Sequence, residues 1–284
     1  MIIDFHVHIF PPKMKEDRSP YLAQDPGFRN MYQDPRSRLA TVEDLIVSMD
    51  RAGVDRSVVQ GFSWRSQDLC HETNDYIQEA AARFPQRIIP FCIVQPLAGE
   101  AAVMEVRRCT QQAVPARGIG ELRPEEQGYL LEVETVLRPI YEVSALEGLI
   151  LLLHASEPVG HAYPGKGRMT PDLLYRLAAS FPDWPMVLAH LGGGLPFYAA
   201  MPEVREALAQ VYVDTAAWPL LYRPEVFSVM TDIFGAEKVL FGTDFPLQDQ
   251  TLSLKRISEL SIPSEALDMM LGGNAARLLR LPSD

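Results

Sequence analysis

Cysteine is scarce. Cys70, Cys92 and Cys109 are the only three in 284 residues, and no two of them form a C-x-x-C pair. Their odd number argues against a disulfide-built scaffold and suits a reducing cytosol. Cys92, inside Ile88-Ile-Pro-Phe-Cys-Ile-Val94, reads as core packing. Excess positive charge is missing as well: 37 acidic against 26 basic side chains leave a formal charge of −11. Nothing supplies the basic stripe that phosphate contacts need, so nucleic acid is excluded as a partner. The longest apolar run, around 149–153, is far too short to cross a bilayer, so no membrane partner is expected. The first residues lack the layout of a signal peptide, because Asp4, His6 and His8 interrupt the apolar stretch. With 47% hydrophobic and 22% charged residues, the expectation is an acidic, cytoplasmic, globular protein with a large core.

What is present is a rhythm. A short apolar strand over 1–8 stops at Pro11-Pro12, and a polar stretch over 11–40 with five prolines follows. That stretch reads as an irregular loop insertion, of the kind that often serves as a lid or binding loop. Arg29, Arg36 and Arg38 sit in it, as solvated surface charges or as groups reaching an anionic substrate. Thr41 then caps a helix that ends at Gly53. Strands over 54–61, 87–94, 117–122, 148–154, 185–190, 211–214 and 238–242 alternate with helices from there on. Thr170 and Pro171 start the helix after the fifth strand, and Asn274 is expected to cap the last helix. Eight strands in βα alternation, with no compositional break, predict a (β/α)8 TIM barrel in one domain over 1–284. A doubly wound open sheet is the alternative. It would show a glycine-rich phosphate turn after the first strand, where this chain has histidine and proline.

Barrel enzymes carry their chemistry at the carboxyl ends of strands. His6 and His8 end the first strand, Glu121 the fourth, His154 the fifth, His190 the sixth and Asp244 the eighth. Period two places His6 and His8 on one face, within reach of a single ion. Alone, an H-x-H pair is more often a pair of core histidines. Four of the chain's six histidines at strand ends, with two carboxylates beside them, turn the balance toward a metal site.

These residues lie in Ile3-Asp-Phe-His-Val-His8, Leu153-His-Ala155, Ala189-His-Leu-Gly-Gly-Gly194, Val213-Asp-Thr-Ala216, Leu240-Phe-Gly-Thr-Asp-Phe-Pro246 and Gly273-Asn-Ala275. The set resembles the amidohydrolase superfamily, and its wording is closest to the amidohydrolase-2 branch, which includes aminocarboxymuconate-semialdehyde decarboxylase. The resemblance implies that His6, His8, His154 and Asp244 hold a divalent metal, zinc first and manganese or iron as alternatives. It places His190 beside the metal-bound water. Glu121 matches a position where some branches bridge two metals and many decarboxylases lack the acid. It is read here as a ligand, with His154 and His190 shared toward a second ion. The other reading makes it an outer acid or an ion-pair partner of Arg117 or Arg123. One or two ions are therefore expected, with Asp244 and His190 as the catalytic acid and base.

The main functional expectation is a metal-dependent hydrolase that uses activated water on a small amide, ester or lactone. A metal-dependent decarboxylase of a small carboxylated substrate is the first alternative, and a non-catalytic metal- or ligand-binding barrel the second. Trp64, Arg65, His161, Tyr163, Lys166 and Trp218 are candidate substrate-binding residues, each weighed against plain packing or a solvated loop position. Asp214 reads as a structural or supporting acid. A homodimer is left open.

Overall fold

The computed structural model describes residues 1–282. Eight parallel strands run in chain order: β1 (Ile3–His8), β2 (Arg56–Gln60), β3 (Ile88–Cys92), β4 (Gly118–Leu122), β5 (Ile150–Leu153), β6 (Met186–Leu188), β7 (Val211–Asp214) and β8 (Val239–Leu240). The sheet closes on itself where the Phe5 N–H donates to Phe241 O at 2.7 Å and the His8 N–H to Phe245 O at 2.7 Å. This is the expected (β/α)8 barrel. Among the described residues no helix is long and apolar enough to cross a membrane.

Alternation along each strand separates two cores. Ile89 and Phe91, Ile150 and Leu152, and Val187 and Ala189 fill the barrel interior together with Ile3 and Phe5. Their sequence neighbours, such as Leu151, Leu153, Met186 and Leu188, face the helices. β1 breaks the rhythm. Its pairing with β2 slips in register between Asp4 and Val7. The slip lets Phe5 stay in the interior core and sends Val7 to the outer one. His6 and His8 are thereby turned into the mouth, while Asp4 stays on the outside. An irregularity that re-aims a side chain beside a site is a recurring use of the bulge.

Thr41 and Asp44 form the full capping box on the helix Val42–Ala52, and Gly53 closes it in the left-handed region at φ 73°. The 11–40 stretch is not irregular. It forms three short helices, Pro12–Glu16, Ser19–Gln24 and Pro26–Tyr32, each with proline in its first turn. Segments of five to seven residues are too short for apolar periodicity to register. Phe28 ties them to the barrel, its ring 4.9 Å from Trp64 and 5.3 Å from Phe62. Asn274 differs from expectation as well. It is a helical residue, and its amide donates to Ala236 O and Val239 O at 2.8 Å each, fastening the last helix beneath β8. All three cysteines are free and buried.

Candidate metal centre and cavity

Each strand-end residue is held by a specific backbone or side-chain contact. The His6 Nδ1–H donates to Asp214 Oδ2 at 2.7 Å, and the His8 Nδ1–H to Gly61 O at 2.9 Å. Both Nε2 atoms therefore present a lone pair to the mouth, and they lie 3.1 Å apart. Two acceptors at that distance repel each other unless a cation sits between them. A shared proton or a metal ion meets that need. Asp244 Oδ1 completes the set at 3.7 Å from His6 Nε2 and 3.4 Å from His8 Nε2. Glu121 Oε2 stands 3.9 and 3.8 Å from the same two nitrogens. Two imidazoles and two carboxylates converging on one point form a donor set that suits a divalent transition metal.

A second group adjoins the first. The His154 Nδ1–H donates to Glu121 Oε1 at 2.8 Å, and its Nε2 lies 3.2 Å from the Ser156 hydroxyl. Ser156 Oγ already accepts from the Gly167 N–H at 2.9 Å, which leaves its own proton for His154. His190 turns its Nδ1–H to Ala216 O at 3.1 Å and its Nε2 toward Glu121 Oε1 at 3.5 Å. Glu121, His154 and His190 are close enough to one another to share an ion. His154, which the resemblance groups with His6 and His8, here donates to Glu121.

Burial and charge set the protonation of these groups. Burial would lower the His6 pKa, but the Asp214 carboxylate outweighs it and lifts the group to about 10. Burial lowers His8. Burial and the Arg123 charge bring His154 down to about 4, against the pull of Glu121. Burial opposes ionisation of Glu121, yet the imidazoles of His154, His190 and His6 around it hold its carboxyl well below the usual range. His190 is lowered by burial and raised more by its bond to Glu121 and the Asp244 charge, so its pKa rises. Two of these positions also carry backbone strain. His190 and Asp244 sit in the left-handed region at φ 56° and 61°. The His190 N–H bonds Asp214 Oδ1 at 2.9 Å, and the Asp244 N–H bonds His6 O at 2.9 Å.

A cavity of about 660 Å³ opens over the site, lined by His8, Glu121, His154, His190 and Asp244 below and by residues 30–34 above. His161 and Tyr163 line it too. Four other expected contacts do not. Trp64 is fully buried and donates its indole N–H to Thr73 Oγ1 at 2.8 Å. Arg65 turns to Glu126 O, and Lys166 donates to Val159 O at 2.6 Å. Trp218 packs edge-on against Phe227 at 5.0 Å. Trp64, Arg65 and Lys166 find local hydrogen-bond partners away from the cavity, and Trp218 only a packing contact, its indole N–H having no partner among the described residues. Of the loop arginines, Arg36 pairs with Asp34, Arg29 bonds Leu22 O, and Arg38 reaches the cavity wall.

Asp4 and Ser156 were not foreseen. Asp4 accepts from the Thr243 hydroxyl at 2.6 Å and from Gln250 Nε2 at 2.8 Å, which ties β1 to the loop bearing Asp244. Burial raises its pKa to about 6 against those bonds. An acid inside the apolar start of β1 was the available signal. Ser156, two residues past His154, had none.

A family model described as amidohydrolase matches residues 3–281. The 2-amino-3-carboxymuconate-6-semialdehyde decarboxylase of Dictyostelium discoideum is 25% identical over 253 residues, spanning 75% of this chain and 67% of that protein. The gamma-resorcylate decarboxylase of Polaromonas sp. is 24% identical over 295 residues, spanning 87% of this chain and 90% of that protein. The 5-carboxyvanillate decarboxylase of Novosphingobium aromaticivorans, complexed with manganese and 4-hydroxy-3-methoxy-5-nitrobenzoic acid, superposes with a TM-score of 0.78. That structure is 17% identical, covers 99% of this chain and 96% of its own, and shows the shared fold.

Proposed function

The chain belongs to the amidohydrolase family, and from that premise we propose that it is a metal-dependent decarboxylase of a small aromatic carboxylate. The observation that carries the reading is the pair of acceptor nitrogens of His6 and His8, 3.1 Å apart beneath Asp244 and Glu121. Curated relatives named as decarboxylases favour carbon–carbon cleavage over the hydrolysis expected from sequence. His6, His8 and Asp244 would hold one divalent ion, with Glu121 Oε2 as the adjoining fourth donor. Manganese is the first choice because a structural relative carries it, and zinc the second.

When bound, the ion supplies Lewis-acid polarisation of a substrate oxygen. The other steps fall to the chain's own residues. His6 and His8 are fixed from behind by Asp214 and Gly61 O, so their lone pairs need no reorganisation. His190 lines the cavity, and its bond to Glu121 and the Asp244 charge raise its pKa and favour the protonated form that donates from Nε2. As the bond to the carboxylate breaks, its electron pair stays on the ring carbon. The His190 proton goes to that carbon, and carbon dioxide leaves. Glu121 stays ionised and holds His190 and His154 in place. The apolar wall of Phe62, Leu220 and Leu221 keeps water from the carbon being protonated.

The test is direct. Manganese-loaded protein is incubated with hydroxybenzoates, and carbon dioxide release is measured beside a panel of lactones, esters and amides. Release of carbon dioxide that depends on the metal supports the reading; hydrolysis of the panel without such release sinks it and restores the hydrolase.

A further inference from the structure

Arg123 follows the end of β4 and lines the same cavity as the strand-end ligands. Only 4% of it is exposed. Among the described residues its guanidinium has no charged partner: Nη2 donates to Gly165 O at 2.6 Å, Nη1 meets the Met31 thioether, and the buried Nε has no hydrogen-bond partner. Among the described residues no carboxylate comes within 4.0 Å of it. Glu121, two positions earlier and its ion-pair partner only in the alternative reading, is turned to His154. Arg38 on the same wall is exposed, and solvent screens it; Arg123 has no such relief.

A buried guanidinium whose only partners are a carbonyl and a sulfur is strongly unfavourable unless an anion joins it. Its planar fork matches a carboxylate. Gly165, held at φ +90°, brings its carbonyl to Arg123 and lines the same cavity. The charge is also close to the reacting residues, since it contributes to the lowered pKa of His154.

We propose that Arg123 is a specificity residue that anchors a second carboxylate of the substrate, one that the reaction retains. The inference rests on the decarboxylase reading for the word retained. During carbon dioxide loss, charge leaves the departing carboxylate for the ring. A cation gripping that group would stabilise the ground state more than the transition state and slow the step. A cation on a remote carboxylate holds the same charge throughout and strengthens binding without that penalty. The substrate class is therefore an aromatic ring with two carboxylates, one over the metal position and one at Arg123.

The experiment is titration calorimetry on full-length, manganese-loaded protein with isophthalate, benzoate and 3-carbamoylbenzoate. The last keeps the shape of isophthalate and removes one charge. Wild-type protein should bind isophthalate about tenfold to a hundredfold more tightly than the carbamoyl compound, as charge-assisted hydrogen bonds require. Arg123→Met should abolish that preference, and Arg123→Lys should keep part of it. Equal affinities in wild type, no isophthalate binding, or a preference that survives Arg123→Met would overturn the anchor. The wild-type comparison decides the point even where the methionine variant fails to fold. Absence of carbon dioxide release with the preference intact would bring down the proposed reaction and leave the anchor standing.

Discussion

The mouth of the barrel has two halves made of similar side chains, and their lone pairs are arranged differently. On the β1–β8 side, His6 and His8 are each fixed at Nδ1 and bring their Nε2 atoms to within 3.1 Å of each other. On the β4–β6 side, His154 uses both ring nitrogens, one on Glu121 and one on Ser156. The first half is incomplete without a cation. The second satisfies itself. Similar composition, imidazole plus carboxylate, therefore does not mean similar chemistry, and the single ion proposed above is assigned to the first half.

The largest effect should come from breaking the incomplete half. His8→Asn removes one lone pair and should leave the protein folded, without bound metal, and at least about a thousandfold less active. Metal content by mass spectrometry and the carbon dioxide assay read both outcomes; a variant that keeps its metal would refute the assignment. Next comes Asp214→Asn, which frees the His6 ring without touching the ion. Metal affinity should fall about 10- to 100-fold, the usual effect of losing an outer hydrogen bond. Retained affinity would mean that the 2.7 Å bond does not orient His6.

Glu121→Gln sharpens the difference between the halves. If the second half binds no ion of its own, wild type and variant should both saturate at one equivalent, with affinity lowered about 10- to 100-fold in the variant. A fall from two equivalents to one would show that Glu121, His154 and His190 hold an ion, and the comparison above would fail.

Much of this is legible in the sequence. The strand-end histidines stood out because each interrupts or ends an apolar run, and burial needs a reason to accept an imidazole there. The barrel followed from alternation alone. The slip in β1 did not, because simple alternation would place Asp4 with His6 and His8. The wall of the cavity was least legible. Trp64 and Trp218 could line it or pack elsewhere, and only the positions of Thr73 and Phe227 decide. Arg123 was weighed as a partner for Glu121, because the absence of a partner is a property of three-dimensional neighbours. The helices of 11–40 were hidden by their brevity.

The smallest effect separates the proton from the metal as the cation between His6 and His8. In metal-free protein the folded-state pKa of His6 is raised to about 10 from the usual 6.5, with Asp214 outweighing burial. The bound proton therefore contributes stability that is fully present below pH 6.5 and is lost as pH rises through 10. His190 is raised as well and adds a loss of the same sign. Asp4, raised by burial to about 6 from 3.8, titrates below this window. Metal-loaded protein has no proton on His6 Nε2 to lose, and its unfolded chain gains protons on freed histidines as pH falls through 6.5. Its stability should rise to about pH 6.5 and then stay level apart from the His190 loss, while that of the metal-free protein declines more steeply. Urea melts between pH 6 and 10, with and without chelator, measure the two slopes. Parallel curves would mean that the ion does not take the place of the His6 proton, and the β1–β8 half would lose its claim to the metal.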